Sequence, residues 1–117
     1  CTGSADNLVR VWKALKGDCI AQLPGHEDSV TCCDYDPMDA QRVCTGSLDG
    51  NVILFRINKE KIVRQYKGHK GAVHCVRFNP NGELLATGSQ DKKIMLWSVT
   101  KGTLLAKMEG HEGMVNC

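Results

Sequence analysis

The feature that most constrains this chain is a set of landmarks that recurs every 42 to 43 residues. The tripeptide Thr-Gly-Ser occurs at residues 2–4, 45–47 and 87–89. Three other landmarks keep the same spacing: the aspartates Asp6, Asp49 and Asp91, the aromatic residues Trp12, Phe55 and Trp97, and the pairs Gly25-His26, Gly68-His69 and Gly110-His111. Landmarks that stay in register over three copies indicate an internal repeat, and a period of about 20–50 residues is typical of solenoids, propellers and arrays.

Each repeat is predicted to contain four short strands. In the most complete copy these are residues 72–78, 84–88, 93–99 and 104–108, separated by turn signals such as Asn79-Pro80-Asn81-Gly82 and Lys101-Gly102. In the preceding copy, Asp49-Gly50 is a strong hairpin pair. No segment shows a helical period with caps, so the sequence predicts an all-β chain with no helices.

The composition and charge of the chain limit the classes of function that it could have. The 117 residues are 42% hydrophobic, enough for a core, and carry a formal net charge of +2 with acids and bases interspersed. This balance gives no indication of nucleic-acid binding or of an anionic membrane surface. No apolar run approaches the roughly 20 residues of a membrane span, so no membrane insertion is expected. The first residue is Cys rather than Met, and we expect the chain to be part of a longer one.

The Gly-His pair, the Thr-Gly-Ser-x-Asp stretch and the third-strand Trp resemble the WD-repeat β-propeller family over essentially the whole chain. The resemblance implies antiparallel blades of four strands set radially around a central channel. Residues 1–24 would form a partial blade of three strands, 25–67 and 68–109 two complete blades, and 110–117 the start of a further blade. About 2.75 repeats of one domain cannot close a ring. A fragment of a longer chain is favoured over a ring completed by a second copy.

The resemblance also implies a hydrogen-bonded network within each blade, in which an imidazole bridges a hydroxyl and a carboxylate. The complete set is His69, Thr87, Asp91 and Trp97. The blade with His26, Thr45 and Asp49 has Phe55 in place of Trp and is expected to be the softer one. The partial sets are Thr2, Asp6 and Trp12 in the first unit and His111 in the last. Because these groups recur in each unit, they are interpreted as structural, and no catalytic residue is predicted.

The seven cysteines are Cys1, Cys19, Cys32, Cys33, Cys44, Cys75 and Cys117. Cys32, Cys75 and Cys117 occupy equivalent positions, and Cys1 and Cys44 share theirs with Ala86. Repetition at strand positions, with exchange for Ala, predicts small buried core residues with free thiols. A disulfide framework or a zinc site is the alternative. We expect no metal and no cofactor, and seven reduced thiols indicate a cytoplasmic or nuclear compartment.

A rigid repeated module without a unique reactive group is interpreted as a non-enzymatic scaffold for protein–protein interaction. In the family that it resembles, protein or peptide partners bind the narrow face, beside the Gly-His pair and the turn before the Asp. The positions carried over to this chain are Leu48, Ser29, Thr31, Ala72, His74, Gln90, Ala5, Met114 and Asn116. The identity of the partner cannot be predicted.

A local excess of basic residues supports an alternative function. The cluster consists of Arg56, Lys59, Lys61, Arg64, Lys67 and Lys70, opposed in that stretch only by Glu60. It would suit a propeller that binds nucleic acid or phospholipid. No aromatic stacking platform accompanies the cluster, so a solvated surface is favoured and no nucleic-acid partner is expected.

Overall fold

The computed structural model describes residues 1–117, whose eleven strands form three antiparallel sheets. Blade 1 contains, in sheet order, β1 (Thr2–Gly3), β2 (Val9–Lys13) and β3 (Asp18–Leu23). Blade 2 contains β4 (Val30–Tyr35), β5 (Arg42–Ser47), β6 (Val52–Arg56) and β7 (Lys61–Tyr66). Blade 3 contains β8 (Val73–Phe78), β9 (Leu84–Ser89), β10 (Ile94–Ser98) and β11 (Leu104–Met108).

The predicted fold class is confirmed: the chain is all-β, with meandering antiparallel blades that do not close a ring. The strands of blade 3 lie within one residue of their predicted bounds. The helical residues are confined to one 3-10 turn, Ile57–Lys59, which ends where Glu60 adopts a left-handed conformation. No helix of the structure has the length and apolar character needed to cross a bilayer.

Residues 110–117 contain no strand, although they correspond to the start of a blade. The Val115 N–H nevertheless donates to the Ser89 carbonyl at 3.0 Å, and the Val115 side chain is buried. Val30 and Val73 are the equivalent residues of blades 2 and 3, and both are buried at the start of a first strand. The last residues therefore continue the repeat in packing, although they form no ladder.

The core lies between the blades, and strand β6 shows how the sequence builds it. Val52 and Leu54 belong to the cluster shared with blade 3, whereas Ile53 and Phe55 belong to the cluster shared with blade 1. Successive side chains of a strand point to opposite faces. Because blade 2 has a neighbour on both faces, all four consecutive residues must be apolar, and each is at most 1% exposed.

The glycine of each Thr-Gly-Ser tripeptide lies in close contact with the unit that follows it. A Cβ atom on Gly46 would lie 2.6 Å from Val73 Cγ1 and 2.8 Å from Cys32 Sγ. A Cβ atom on Gly3 or Gly88 would meet the valine of the following unit equally closely, at 2.6 Å and 2.7 Å. The second strand of each unit therefore needs glycine where the next valine packs against its backbone.

Polar contacts also join blade 2 to blade 3. The Asp34 carboxylate accepts a hydrogen bond from the Phe78 N–H at 3.0 Å. The Arg64 guanidinium donates to the carbonyl oxygens of Thr100 and Lys101, both at 3.1 Å. These contacts hold the first strands and the outer turns of the two blades at a fixed spacing.

The prediction that the cysteines are buried core residues is wrong for part of the set. Cys44 is fully buried, but Cys19 and Cys117 are exposed, and Cys1, Cys32, Cys33 and Cys75 are partly exposed. Cys44 lies in a strand with covered faces, whereas the first strands, which carry Cys32 and Cys75, are only partly covered. All seven are free thiols in the structure.

The glycine contact between blades is directly testable. Gly46→Ala should lower the free energy of unfolding by about 1–3 kcal/mol, because the added methyl group overpacks a site bounded by Val73 and Cys32. Gly113→Ala is the matched control, since no atom lies within 4 Å of a Cβ at that position. Urea denaturation measures the free energy of unfolding of both variants. Equal stabilities of the two would contradict the contact, and Val73→Ala combined with Gly46→Ala should cost less than the sum of the single changes.

Candidate functional site

The polar side chains of blade 3 that could take part in acid–base chemistry form one continuous hydrogen-bonded network. The His69 imidazole lies 2.9 Å from Asp91 Oδ2 through Nδ1 and 2.8 Å from Thr87 Oγ1 through Nε2. The Trp97 indole N–H donates to the same hydroxyl oxygen at 3.0 Å. The structure therefore joins the four residues of the predicted complete set.

The direction of the hydrogen bonds in this network follows from its fixed donors. The indole nitrogen of Trp97 can only donate, so Thr87 Oγ1 accepts there. The hydroxyl proton is then available to His69 Nε2 or to the Met95 carbonyl, 3.3 Å away. The Asp91 carboxylate accepts from the backbone N–H groups of Lys70 and Lys93 at 2.9 and 3.0 Å. These partners assign the Nδ1–H tautomer to His69, which donates to the carboxylate.

The carboxylates of the network are held in their charged form. Burial raises the pKa of Asp91, but hydrogen bonds from the Lys70 N–H and from His69 outweigh it, so the pKa lies below its ordinary value. Burial likewise raises the pKa of Asp49, and the N–H groups of Glu27 and Asn51, with His26, bring it below the ordinary value. Each aspartate therefore stabilises the turn that carries it as an anion.

Blade 2 has the same arrangement without the indole donor. The His26 imidazole lies 3.0 Å from Asp49 Oδ2 and 2.8 Å from Thr45 Oγ1. Phe55 is fully buried and meets the His26 ring edge-on, with the ring centroids 6.5 Å apart. Phe55 therefore fills the space that Trp97 fills in blade 3, but it supplies no hydrogen bond to Thr45.

The partial sets differ from the complete network. The Trp12 indole donates to Thr2 Oγ1 at 2.9 Å, but Trp12 is 41% exposed, whereas Trp97 is 3% exposed. Arg10 lies 2.6 Å from Asp6 and, through this contact, lowers the pKa of Asp6 to about 2. The remaining histidine of the predicted set, His111, is exposed and makes no hydrogen bond.

The turns between the second and third strands form part of one face of the structure. Leu48 and Gln90 are exposed at equivalent positions, and their N–H groups donate to the carbonyls of Ser29 and Ala72 at 3.0 and 2.8 Å. Ala5 is exposed at the equivalent turn of blade 1. The backbone of these turns is fixed by hydrogen bonds. The side chains that face solvent differ: a methyl group in Ala5, an isobutyl group in Leu48 and a carboxamide in Gln90.

The starts of the first strands supply the other predicted residues of this face. The ladder between first and second strands has a bulge between Val30 and Cys32, and another between Val73 and Cys75. Thr31 and His74 are the extra residues of these bulges. A bulge commonly changes the direction in which a side chain points. The Thr31 hydroxyl is directed to the carbonyls of Gly46 and Val73, while His74 is partly exposed and has no hydrogen bond.

Three further predicted residues differ in accessibility. Ala72 is only 7% exposed and offers little surface to a partner. Met114 is 53% exposed and Asn116 is exposed, on either side of buried Val115. The accessible members of the predicted face are therefore Leu48, Gln90, Ala5, Ser29, Thr31, His74, Met114 and Asn116.

The predicted basic cluster is divided in the structure. Arg56 pairs with Asp39 at 2.8 Å, and Arg64 is used by the contact with blade 3. The lysines remain exposed and form no ion pair: Lys59, Lys61, Lys67 and Lys70. No group of three or more His, Cys, Asp or Glu side chains is arranged to hold a metal ion.

Two features were missed by the sequence analysis. The hydroxyl of Thr31 bridges to the carbonyl of Val73 in the next blade, and no pattern in the sequence shows which surface hydroxyl does this. An open groove of about 540 Å³ lies between blades 1 and 2, where Trp12, Ile20 and Tyr35 line one part of it. Its only signal in the sequence is an isoleucine, Ile20, at the middle of β3. The structure leaves this side chain exposed.

Only blade 3 has the indole donor. Equivalent threonine substitutions in blades 2 and 3 should therefore lower the free energy of unfolding by different amounts. Thr87→Val should lower the free energy of unfolding by about 1–3 kcal/mol, since it leaves the buried Trp97 N–H unpaired. Thr45→Val, its counterpart in blade 2, should cost about 1 kcal/mol less because Phe55 has no N–H. Urea denaturation compares them. Introducing Trp97→Phe should reduce the cost of Thr87→Val to that of Thr45→Val; an unchanged cost would contradict the network.

The lowered aspartate pKa values predict how stability depends on pH. A group whose folded pKa lies below its unfolded value stabilises the fold above the unfolded pKa, and the contribution is lost as pH falls through the folded pKa. The ordinary value is 3.8 for Asp49 and Asp91. Stability should therefore decline below about pH 4. The Asp49→Asn/Asp91→Asn variant should be less stable at neutral pH and show a shallower decline in acid, measured by thermal melts; an unchanged slope would contradict the assignment.

Comparisons with known proteins agree with this geometry. The family model described as WD domain, G-beta repeat, matches residues 17–56 and 60–98, which together make up more than half of the chain. No curated protein matches the chain significantly. Proteins built from these repeats generally act as scaffolds for protein–protein interaction and are generally not enzymes. The matched segments, the repeated Thr-Gly-Ser and Gly-His landmarks and the four-stranded blades show that this chain belongs to the WD-repeat family.

Proposed function

We propose that this chain is a non-enzymatic scaffold that binds protein or peptide partners on the face formed by Leu48, Gln90, His74 and their equivalents. The main support is the contrast between a constant backbone and variable side chains at the turns. Leu48 and Gln90 have the same backbone hydrogen bond to the residue that precedes the first strand of their blade. Their exposed side chains differ completely, as expected where the framework sets the geometry and the face sets specificity.

The chemistry of the face favours a protein over a small charged ligand. Leu48 is 41% exposed and Met114 53% exposed, and each can insert into an apolar pocket of a partner. His74 and Gln90 can donate and accept hydrogen bonds beside these apolar groups. A peptide offers both kinds of contact along one chain. The acid–base groups of the blades contribute nothing to such a face, since His26 and His69 are fully engaged by their hydroxyl and carboxylate partners.

The alternative, binding of nucleic acid or phospholipid, has weaker support. It would use four exposed lysines: Lys59, Lys61 and Lys67 of blade 2, and Lys70 in the segment before the first strand of blade 3. Arg56 is paired with an acid and Arg64 with carbonyl groups, so neither is free for a phosphate. Binding through lysines alone would fall steeply with salt. We propose a reducing compartment, cytoplasm or nucleus, for the chain, because seven cysteines that recur at strand positions are expected to be free thiols.

A selection experiment tests the proposed face without a known partner. A phage-displayed library of linear peptides is selected on the immobilised chain, and the enriched peptides are synthesised. Leu48→Asp should weaken their binding at least about 10-fold, because a charge replaces an exposed apolar anchor of the face. Fluorescence anisotropy measures the dissociation constants.

Leu15→Asp is the matched control, since Leu15 is 97% exposed and lies in the turn between β2 and β3, away from this face. It should leave the affinity unchanged. Thermal melts establish that both variants are folded. Equal affinities for the two variants, or peptides that are acidic and released by salt, would overturn the proposed face, and the second result would support binding through the exposed lysines.

A further inference from the structure

Two cysteine side chains meet at the junction between blades 1 and 2. Cys1 directly precedes β1, and Cys33 lies within β4, 32 positions later in the chain. Their Sγ atoms are 2.9 Å apart, although neither is bonded to the other. Both residues are only partly buried, and both pack against the apolar cluster shared by blades 1 and 2. No other pair of cysteine sulfurs in the structure is in direct contact.

The repeat supplies an internal comparison for this pair. One repeat later, the position of Cys1 is occupied by Cys44 and the position of Cys33 by Val76. Cys44 and Val76 are both buried in the cluster that joins blades 2 and 3. The two junctions use equivalent positions of the repeat, but the first holds two thiols where the second holds a thiol and an isopropyl group. A covalent bond between these two positions can form only at the first junction.

We propose that Cys1 and Cys33 are a redox modification site, at which a reversible disulfide ties blade 1 to blade 2. The oxidant is a low-molecular-weight disulfide such as oxidised glutathione. One cysteine thiolate attacks a glutathione sulfur, and a mixed disulfide forms as the first glutathione thiolate leaves. The second cysteine thiolate then attacks the protein sulfur of the mixed disulfide and displaces the second glutathione thiolate. Two protein thiols lose two protons and two electrons, and one glutathione disulfide becomes two glutathione molecules.

The surroundings of the pair slow its oxidation but leave the sulfurs accessible. Burial raises the pKa of the Cys33 thiol, which keeps it protonated and slows unassisted oxidation near neutral pH. The partial exposure of both sulfurs still admits a small disulfide. Intracellular disulfides, where they occur, are usually transient ones of this kind. The bond would join the residue before β1 to strand β4, across the junction between blades 1 and 2.

The test uses the whole 117-residue chain, incubated in dilute solution with defined ratios of reduced to oxidised glutathione at about pH 8. Peptide mapping by mass spectrometry should find one intramolecular cross-link, between Cys1 and Cys33, with loss of two hydrogen atoms. The oxidised chain should melt on the order of 10 °C higher than the reduced chain, because the cross-link restricts the unfolded state. The thiol reductant dithiothreitol should restore the original mass and melting temperature.

Cys33→Val copies the residue found at the second junction and should abolish both the cross-link and the rise in melting temperature. Cys32→Val, at the neighbouring position of the same strand, should retain both. Oxidation in urea tests the role of the fold, since the unfolded chain should yield mixed pairings. The proposal is overturned if Cys1 and Cys33 of the folded chain carry separate glutathione adducts, or stay reduced while exposed Cys19 and Cys117 are modified.

Discussion

The structure depends on the contact between a glycine in the second strand of one unit and a valine of the next unit, which begins the first strand in blades 2 and 3. The same contact occurs at Gly3 with Val30, Gly46 with Val73 and Gly88 with Val115. At each place a single methyl group would occupy space already filled. A sheet packed on a sheet is normally separated by two layers of side chains. Here the glycine supplies no side chain, so the valine of the following unit packs directly against the backbone of the second strand.

The hydrogen-bonded network performs a different task, because it acts within a blade rather than between blades. His69 links the segment before the first strand of blade 3 to the second strand through Thr87, and to the following turn through Asp91. The turn is thereby fixed relative to the strands, and the exposed residue that precedes Asp91, Gln90, is presented on a rigid support. In blade 2 the loss of the indole donor removes one hydrogen bond but keeps the bridge from His26 to Asp49. The support of Leu48 is therefore retained.

The repeat made most of the fold predictable, because four landmarks in register fix both the strand order and the turns. The family resemblance, rather than physical reasoning alone, supplied the partners of His69, and the structure brings those atoms to hydrogen-bonding distance. Features that depend on the neighbouring blade could not be predicted. The bridge from Thr31 and the partial exposure of Cys32 and Cys75 are set by which face of a strand another blade covers. A single repeat, read by itself, does not contain that information.

The two blade junctions show how such a chain can vary its chemistry without altering its backbone. Cys44 and Val76 at the second junction are buried in one apolar cluster, as small residues of similar shape would be. Cys1 and Cys33 occupy the same two positions at the first junction, where the replacement of a valine by a cysteine costs little packing volume. One such exchange places two thiols in contact and gives that junction a reactivity that its copy lacks. The positions that this repeat leaves free to vary therefore include partly buried ones at the blade junctions, as well as those of the exposed face.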